Sequence, residues 1–482
     1  MSNVYKLYRV CRSGPESRID PTEQIAFYDP GLGTDEGATA MSAPVRFFQK
    51  ILASATGRDV AANIADCYEF IINHYEEGDR IFLIGFSRGA YTVRAIADVI
   101  RLCGIPTTTP SGRLLKYRKA TRDIADEAVL TVFEHGAGHP RIEFEDEREE
   151  LTRRYREEYG SAHLSGQEQR SNAAPYFIGV FDTVASLGAK GWRRRGIQLG
   201  LILAICVAST VPSALIAGII ASISSLTFWT TFRALVALVT IAGGIYLLFH
   251  MRRSVRKTIR DFPKKGDVKT HQAEWKGEHF SRLLSRFVAF ARSANANDET
   301  RADFDRLPWG PGPGIQVAEK HDGHAWFEQV WFAGNHSDIG GSYAETESRL
   351  SDISLKWMIE QATKIPDGLL IDGQQGPGDA LGIPRLQLFP ATNGMQHCEV
   401  AGMTDTLAGL RFGLARLLKG RGWAVKVRKI DPEANVHSSV ADRFELGEAV
   451  QCAGSGPYRP QALANHQRFK HYYQTRLGEQ SC

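Results

Sequence analysis

Apolar and polar positions along this chain fall into short blocks whose spacing predicts strands and helices in turn. Ile81-Phe82-Leu83-Ile84 is an unbroken apolar run bounded by charged residues, which is typical of a buried strand. Apolar residues then recur at helical spacing until Gly104 and Pro106. Another helical pattern, at residues 57–76, precedes the strand. This alternation of strands and helices is typical of a parallel α/β sheet.

Two further apolar runs predict buried strands that end in polar residues. Residues 175–184 carry Asp182 near the end of the run, and residues 328–334 lead directly into Asn335 and His336. The same reasoning predicts a strand at residues 24–28 and helices at residues 3–8, 279–292, 353–363 and 404–419. The helix predicted at 279–292 has one apolar stripe and one arginine-rich face, so it is expected to lie on an anionic membrane or against the sheet.

One segment departs from this pattern because it is almost free of charge. Residues 196–232 contain no charged residue. Two apolar runs, about 197–223 and 232–250, are each close to the ~20 residues that an α-helix needs to cross a bilayer. Basic residues flank both outer ends, which predicts a multi-pass membrane protein with two helices and with the rest of the chain in the cytoplasm. A hairpin buried in the protein, or a lid, is the alternative.

Composition narrows the classes of function. The 482 residues carry a formal net charge of +4 and no basic stripe interleaved with aromatic residues, so no nucleic-acid partner is expected. The seven cysteines are scattered and form no C-x-x-C pair, which favours a reducing compartment over a disulfide framework or a cysteine zinc site. The first 14 residues contain no apolar run, so no secretory signal peptide is expected. Neither a cofactor nor a metal ion is expected.

The most informative chemical motif is Gly85-Phe86-Ser87-Arg88-Gly89, a G-x-S-x-G between the first predicted strand and the helix that follows it. In that context the turn presents Ser87 as a nucleophile. The helix N-terminus, including the backbone N–H of Arg88, then faces the oxyanion that forms beside the serine. The pattern alone is weak, because short glycine motifs arise by chance. A glycine-rich turn without chemistry is the alternative.

Asp182 and His336 are the candidates for the other groups that a serine nucleophile requires. A serine hydroxyl attacks an ester when a neutral imidazole takes its proton and a carboxylate orients that imidazole. Ser87, Asp182 and His336 each follow a strand-like run, in the chain order of α/β-hydrolases. The alternatives are Asp182 as a helix cap or turn acid, and His336 as a structural residue or as a ligand beside Asp338. Most other histidines belong to no recognisable group.

Four segments resemble a known family. They are FYDPGLGT, GFSRGAYTVRAIA, FIGVFDTVASLG and VWFAGNHSDIGGSY. They are similar to the uncharacterised bacterial and fungal α/β-hydrolase family that includes the catalytic domain of type VI secretion phospholipase effectors. The resemblance implies a mostly parallel sheet with helices on both faces and an esterase or phospholipase that cleaves phospholipid acyl esters. It implies Ser87 as nucleophile and His336 as base, and Asp182 matches the acid, with Asp98 and Asp338 as alternatives.

The glycine-rich loop at residues 29–34 follows the strand predicted at 24–28, and such loops often contact substrate in open α/β sheets. Gly31 and Gly33 are therefore candidate substrate-binding residues, together with Asp338. A plain surface turn is the alternative for this loop.

The predicted domain organisation is one hydrolase domain in two parts, residues 1–190 and 258–482, interrupted by a transmembrane insertion at residues 191–257. Family members usually have a strand and a D-G-T turn before the helix that begins here at Asn3, and in this fold the loop after an early strand supplies a second oxyanion donor. That strand is missing before Met1. We therefore expect either an upstream start or a weakened enzyme.

Three functional hypotheses follow from these patterns. The first is a membrane-anchored serine hydrolase that cleaves acyl esters of phospholipids. The second is a membrane protein that uses a decayed hydrolase domain for binding or as a scaffold. The third is a soluble effector that is delivered into another cell, where its hairpin inserts on arrival.

Overall fold

The structure is a computed structural model that describes residues 1–15, 17–31, 58–163, 170–184, 191–273, 283–311, 320–372, 386–399, 425–451 and 454–474. The α-helices are α1 (Asn3–Cys11), α2 (Arg58–His74), α3 (Arg88–Cys103), α4 (Lys119–Glu127), α5 (Glu145–Tyr159), α6 (Gly191–Ile223), α7 (Phe228–Ser254), α8 (His336–Gly340), α9 (Arg349–Thr363), α10 (Ser438–Glu445) and α11 (His471–Gln474). A π-helix, Ala128–Phe133, follows α4.

The strands include several of only two or three residues. They are β1 (Phe82–Phe86), β2 (Thr108–Thr109), β3 (Gly112–Arg113), β4 (Phe177–Phe181), β5 (Arg256–Arg260), β6 (Val268–Gln272), β7 (Leu283–Leu284), β8 (Phe290–Ala296), β9 (Gly310–Pro311), β10 (Lys320–His321), β11 (His324–Ala325), β12 (Phe327–Phe332), β13 (Ala449–Gln451) and β14 (Gly454–Gly456).

A four-stranded parallel sheet forms the centre of the molecule, in the order β1-β4-β8-β12. Its strands β1, β4 and β12 confirm the three buried strands predicted from the apolar runs. All residues of β4 and β8 are buried, because these two strands lie between neighbours within the sheet and are covered on both faces. The observed architecture is therefore mixed α/β around a parallel sheet.

Each face of the sheet packs against its own group of helices. On β4, Ile178 and Val180 belong to a core that includes residues of α2, α3 and α5. Phe177 and Phe181 point to the opposite face, where they join residues of α1 and α9. This alternation is the two-residue period of a strand with both faces buried. The helices predicted at residues 3–8, 57–76 and 353–363 are confirmed.

The turn between β1 and α3 is unusually tight. Ser87 has φ 59° and ψ −121°, a region that residues with a side chain rarely adopt. A Cβ on Gly85 would lie 2.4 Å from the backbone oxygen of Gly89, whereas a Cβ on Gly89 would meet no atom within 4 Å. The turn therefore requires glycine at Gly85, while Gly89 has room for a side chain.

The strand predicted at residues 24–28 is wrong, because these residues form no regular element. The side chains of Ile25 and Phe27 are nearly half exposed, so no sheet face covers them. The segment is held instead by the side-chain amide of Gln24, which exchanges hydrogen bonds with the backbone of Leu370 at 2.9 Å in both directions.

The amphipathic helix predicted at residues 279–292 is also wrong over its described part. Leu283 and Leu284 form β7, and the chain enters β8 at Phe290. The apolar spacing that suggests a helix arises because Val288, just before β8, and Ala291, within β8, are both buried in the core. Backbone pairing of β8 with both β4 and β12 outweighs the local helical pattern. The helix predicted at 404–419 lies outside the described residues.

Cysteine chemistry also differs from the expectation. Cys398 is disulfide-bonded, so the preference for reduced cysteines is wrong at this position. The free cysteines among the described residues are Cys11, Cys67, Cys103 and Cys206.

The uncharged segment forms the antiparallel helical pair α6 and α7. Two stretches, Gln198–Ile223 and Phe228–Phe249, are long and apolar enough to cross a membrane, and only 17% and 6% of their apolar windows are buried in the protein. The helices approach closely where Gly243 faces Ile205, since a Cβ on this glycine would lie 2.9 Å from the isoleucine side chain. The low burial distinguishes these helices from the core helices of a soluble protein.

The strand pair β5–β6 follows α7 after a single residue and packs on the body of the protein. Nζ of Lys257 donates a hydrogen bond to the carbonyl oxygen of Leu130, in the π-helix, at 2.6 Å. Arg154 on α5 donates to the carbonyl oxygens of Arg260 and Asp261 at 2.8 and 3.1 Å. These contacts connect the end of the apolar helical pair to the helical layer of the sheet.

Gly85 and Gly89 give a matched test of the tight turn between β1 and α3. We expect Gly85→Ala to lower the free energy of unfolding by about 1–3 kcal/mol, because the added methyl group collides with the Gly89 backbone. Gly89→Ala is expected to be neutral or to stabilise by up to ~1 kcal/mol, because alanine favours the helix. Thermal unfolding of both variants measures the difference, and equal melting temperatures would contradict the tight-turn geometry.

Candidate active site

The carboxyl ends of the sheet strands bring three side chains together at one edge. Ser87 follows the last residue of β1, Asp182 follows the last residue of β4, and His336 lies four residues after β12. Since parallel strands end at the same edge of a sheet, the topology alone places all three on one side. His336 reaches Asp182 past the end of β8, the strand between β4 and β12.

His336 contacts both of its predicted partners. Its Nε2 lies 2.7 Å from Oγ of Ser87, and its Nδ1 lies 2.6 Å from Oδ2 of Asp182. An ionised carboxylate only accepts hydrogen bonds, so Nδ1 carries the proton and Nε2 accepts from the serine hydroxyl. His336 and Asp182 are buried, and Ser87 is half-buried.

The backbone of Asp182 is itself constrained. Its φ is 41°, which is uncommon for a residue other than glycine. Its N–H donates to the carbonyl oxygen of Ala294 at 2.8 Å, and its Oδ1 accepts from the N–H of Ala296 at 3.0 Å. These two contacts with β8 fix the carboxylate at the edge of the sheet.

A buried arginine forms the other side of the Asp182 site. Nη1 of Arg428 donates to Oδ1 of Asp182, and Nη2 donates to Oδ2 at 2.9 Å. The same guanidinium donates to the carbonyl oxygens of Ala296 and Phe304 at 3.0 and 2.8 Å. A two-pronged contact of this kind fixes both the position and the charge of a carboxylate.

These neighbours decide the ionisation of Asp182. Complete burial alone would raise its pKa, but the charge of Arg428 and the hydrogen bond from His336 together lower the pKa of Asp182 well below its ordinary value. The carboxylate therefore stays ionised throughout the neutral range.

Aromatic rings enclose the imidazole of His336. The ring of Phe86 lies 4.6 Å from it and the ring of Phe304 lies 5.1 Å from it, centroid to centroid. A Cβ on Gly340 would lie 1.9 Å from the Phe86 ring, so only glycine permits this packing. The rings restrict the orientation of the imidazole and limit its contact with solvent.

The loop that carries His336 is held by a network of buried charges. Glu299 accepts a hydrogen bond from the N–H of His336 at 3.2 Å and pairs with the Arg301 guanidinium at 2.7 Å. Asn335 and Asp338 form a reciprocal capping box at the start of α8. This network fixes the backbone on which the imidazole is mounted.

Comparison with known proteins identifies the family. The family model described as "T6SS, Phospholipase effector Tle1-like, catalytic domain" matches residues 1–210 and 249–361. The chain belongs to this phospholipase effector family. The match covers both parts of the central sheet and omits residues 211–248, which form most of the two apolar helices.

Two uncharacterised proteins are similar to the chain. The protein YEL023C of Saccharomyces cerevisiae is 23% identical over 408 residues, which cover 75% of this chain and 54% of the yeast protein. A protein from Pseudomonas aeruginosa with a crystal structure is 15% identical, with a TM-score of 0.31, over 75% of this chain and 42% of the other. The chain thus spans about half the length of each.

The predicted oxyanion and substrate-binding residues lie outside the group formed by Ser87, Asp182 and His336. Arg88 is the first residue of α3, directly after Ser87. Gly31 lies in a turn, where its N–H donates to Oδ1 of Asp29 at 2.8 Å. Gly33 lies outside the described residues. Substrate binding by Gly31 and Gly33, and an oxyanion role for Arg88, stay predictions.

The two alternative acids have other partners. Asp98 pairs with Arg101 along α3 at 3.0 Å. Asp338 is buried, and its oxygens accept hydrogen bonds from the N–H of Asn335 and from Nδ1 and N–H of His397. Burial alone would lower the pKa of His397, but Asp338 raises it through its hydrogen bond and charge. This arrangement favours a positioning role for Asp338, and its predicted contact with substrate stays a prediction.

Sequence reasoning missed Arg428, Glu299 and Arg301. Arg428 and Glu299 lie far along the chain from Asp182 and His336, the site residues that they contact, and Arg301 contacts the site only through Glu299. The chain also contains 58 lysines and arginines, so no single one stands out. The alternation Val425-Lys426-Val427-Arg428 is the only local signal, because it places Arg428 on a definite face of an extended segment. Nothing in that pattern identifies Asp182 as its partner.

The contact between Arg428 and Asp182 predicts a pH-dependent stability. Replacing Arg428 by methionine leaves a buried carboxylate without its cationic partner, so we expect Arg428→Met to lower the free energy of unfolding by about 3–5 kcal/mol at pH 7. Folding lowers the pKa of Asp182, so this stabilisation is complete above the ordinary value of 3.8 and is lost as the pH falls towards the lowered value. The difference between wild type and variant should therefore shrink below about pH 4.

The control is Lys426→Met, because the Lys426 pair with Asp305 is about half exposed. Loss of that pair should change stability by less than ~1 kcal/mol at any pH. Denaturant unfolding from pH 3 to pH 8 measures both variants, and a pH-independent loss in Arg428→Met would contradict the assignment.

Proposed function

We propose that this chain is a serine hydrolase of the α/β-hydrolase type that cleaves acyl esters of phospholipids. The observation that carries the proposal is the continuous hydrogen-bonded series from Ser87 through His336 to Asp182, with distances of 2.7 and 2.6 Å. The strained backbone of Ser87 between a strand and a helix is typical of a nucleophile elbow.

In the proposed reaction, Nε2 of His336 takes the proton of Ser87 Oγ as that oxygen attacks the ester carbonyl carbon. The resulting imidazolium is stabilised by Asp182, and it then protonates the leaving alcohol oxygen. Water hydrolyses the acyl-serine by the same steps in the second half of the cycle. The products are a free fatty acid and the deacylated lipid.

The start of α3 is the proposed donor site for the oxyanion. Arg88 begins this helix of 16 residues, and the N–H groups of a helix N-terminus carry a partial positive charge. A backbone donor of this kind typically contributes about 3–4 kcal/mol to transition-state stabilisation. Gly31 and Gly33 are proposed to border the substrate site.

Two observations support a lipid substrate. The family to which the chain belongs is described as a phospholipase effector family. The helices α6 and α7 expose apolar side chains over most of their length, so the protein is expected to lie at a bilayer that also contains its substrate.

We propose further that α6 and α7 form a membrane anchor inserted into one hydrolase domain, whose two parts face the cytoplasm. Strands β1 and β4 precede the insertion, and β8 and β12 follow it in the same sheet. The family match is interrupted within this helical pair, at residues 211–248. Basic residues at both outer ends of the helical pair favour cytoplasmic ends.

The catalytic proposal is tested by release of fatty acid from phospholipid vesicles. We expect Ser87→Ala to lower the rate by about 10⁴-fold or more, because the nucleophile is removed. Ser111→Ala, at an exposed position of the β2–β3 hairpin, is the control and should retain full activity. Equal release by wild type and Ser87→Ala would reject the proposal.

Labelling with a fluorophosphonate probe distinguishes a wrong substrate assignment from the absence of a reactive serine. Labelling of the wild type but not of Ser87→Ala, without vesicle cleavage, would indicate a serine hydrolase with another ester as substrate. Absence of labelling in both proteins would favour the decayed hydrolase domain with a binding role.

The anchor is tested by two substitutions at exposed apolar positions near the middle of each span. Val211 and Leu238 are 69% and 64% exposed, so Val211→Arg and Leu238→Arg should be harmless in a helical pair that stays in water. In a membrane, each arginine costs about 2.5–3.5 kcal/mol of insertion free energy. We therefore expect the double variant to lose carbonate-resistant membrane association in the producing cell.

The control is Leu115→Arg, because Leu115 is 68% exposed on the body of the protein. This variant should fractionate like the wild type. If carbonate releases the wild-type protein from membranes, the two helices are not a membrane anchor in the producing cell. That result would favour insertion only after delivery into another cell.

A further inference from the structure

Three side chains that the proposed reaction does not use converge near the strand pair that follows α7. His135 lies two residues after the π-helix, Glu147 lies in the first turn of α5, and His271 lies in β6. Each offers one ligand atom, and these atoms all lie within 4.8 Å of one another. No local pattern groups these residues, because more than a hundred positions separate His271 from the other two.

The polar contacts of the cluster direct these ligand atoms towards one another. Nε2 of His135 lies 2.8 Å from Oε2 of Glu147, and Nζ of Lys269 lies 3.1 Å from the other oxygen of this carboxylate. The N–H of Gly136 donates to Nε2 of His271 at 2.9 Å. This nitrogen therefore carries a lone pair, while Oε2 of Glu147 is an acceptor in the same space.

The protein encloses most of the cluster. His135 and Glu147 are buried, and His271 is half-buried. The three ligand atoms therefore face one another in a space that is largely closed to solvent.

We propose that His135, Glu147 and His271 bind a transition-metal dication of the Zn²⁺ class. Two imidazoles and one carboxylate match the ligands of such ions, whereas Mg²⁺ and Ca²⁺ prefer sites made of oxygen atoms. A water molecule completes the four-coordinate site.

Binding rearranges the hydrogen bonds without net loss of a proton. The ion takes the place of the hydrogen atom between His135 and Glu147, and the imidazole proton moves to Nδ1 of His135. The Nε2 lone pair of His271 turns from the Gly136 N–H to the ion. The widest ligand separation must close to about 3.3 Å, the spacing in a tetrahedral site with bonds of ~2.0–2.1 Å.

The position of this site assigns it a structural role. It joins β6 to α5, and β6 pairs with β5, which begins two residues after the end of α7. Nε2 of His139 already binds the carbonyl oxygen of Gln272 at 2.9 Å beside the cluster. The bound ion would attach the segment that follows α7 to the helices that cover the sheet. This role does not depend on whether Ser87 is a nucleophile.

The test uses the full chain in detergent, stripped of metal with a chelator and titrated with Zn²⁺ and, separately, with Co²⁺. We expect one ion per chain and the visible absorption of a four-coordinate Co²⁺ site. His271→Ala and Glu147→Gln should each weaken Zn²⁺ binding by at least about 10–100-fold and abolish the Co²⁺ spectrum. Zn²⁺ should also raise the melting temperature of the wild type, and Mg²⁺ should not.

The control is His321→Ala, which removes a half-buried histidine of the β10–β11 hairpin and should bind like the wild type. Glu147→Gln keeps the size of the side chain, so a wild-type melting temperature without metal shows that this variant is folded. Equal Zn²⁺ affinity and equal Co²⁺ spectra in wild type and Glu147→Gln would overturn the proposal. A wild-type affinity for Zn²⁺ no higher than its affinity for Mg²⁺ would also overturn the proposal.

Discussion

The buried negative charge of Asp182 is the constraint on which the rest of the site depends. An isolated carboxylate is very costly to bury, so its hydrogen bonds and its cationic partner must all be in place in the folded protein. These groups come from the backbone of β8, from His336 after β12, and from Arg428 near the end of the chain. Three distant parts of the sequence are thus fixed relative to one another by one side chain.

The order of strands makes this convergence possible. Because β1 and β4 are neighbours, Ser87 and Asp182 start close together, and only His336 has to reach across another strand. The end of β8 is built from small residues, including Ala294 and Ala296, which leave room for the imidazole to pass. Gly85 has no side chain that could collide with the backbone of the Ser87 turn, and Gly340 has none that could collide with the Phe86 ring. The chemistry of the site and the packing around it therefore impose the same restrictions.

Local patterns predicted β1, β4 and β12 of the central sheet, several of the helices and the residues at the ends of these three strands, because each of these leaves a periodic signature in a short window. The segment 279–292 shows where this reasoning fails: its apolar spacing fits a helix, yet pairing with β4 and β12 makes Phe290–Ala296 a central strand. Arg428 and the cluster around His135 could not be predicted for a related reason. Their partners lie far away in sequence, and only the folded chain brings a guanidinium to Asp182 or His271 to Glu147.

The position of the helical pair between β4 and β8 has a consequence for biosynthesis. The ribosome completes β1 and β4 before α6 and α7, but β8 and β12, and the arginine that pairs with Asp182, are translated only afterwards. Half of the sheet therefore waits for its partner strands while about sixty residues of apolar helix and turn emerge. The sheet edge that carries Ser87, Asp182 and His336 can therefore form only after both apolar helices have been made.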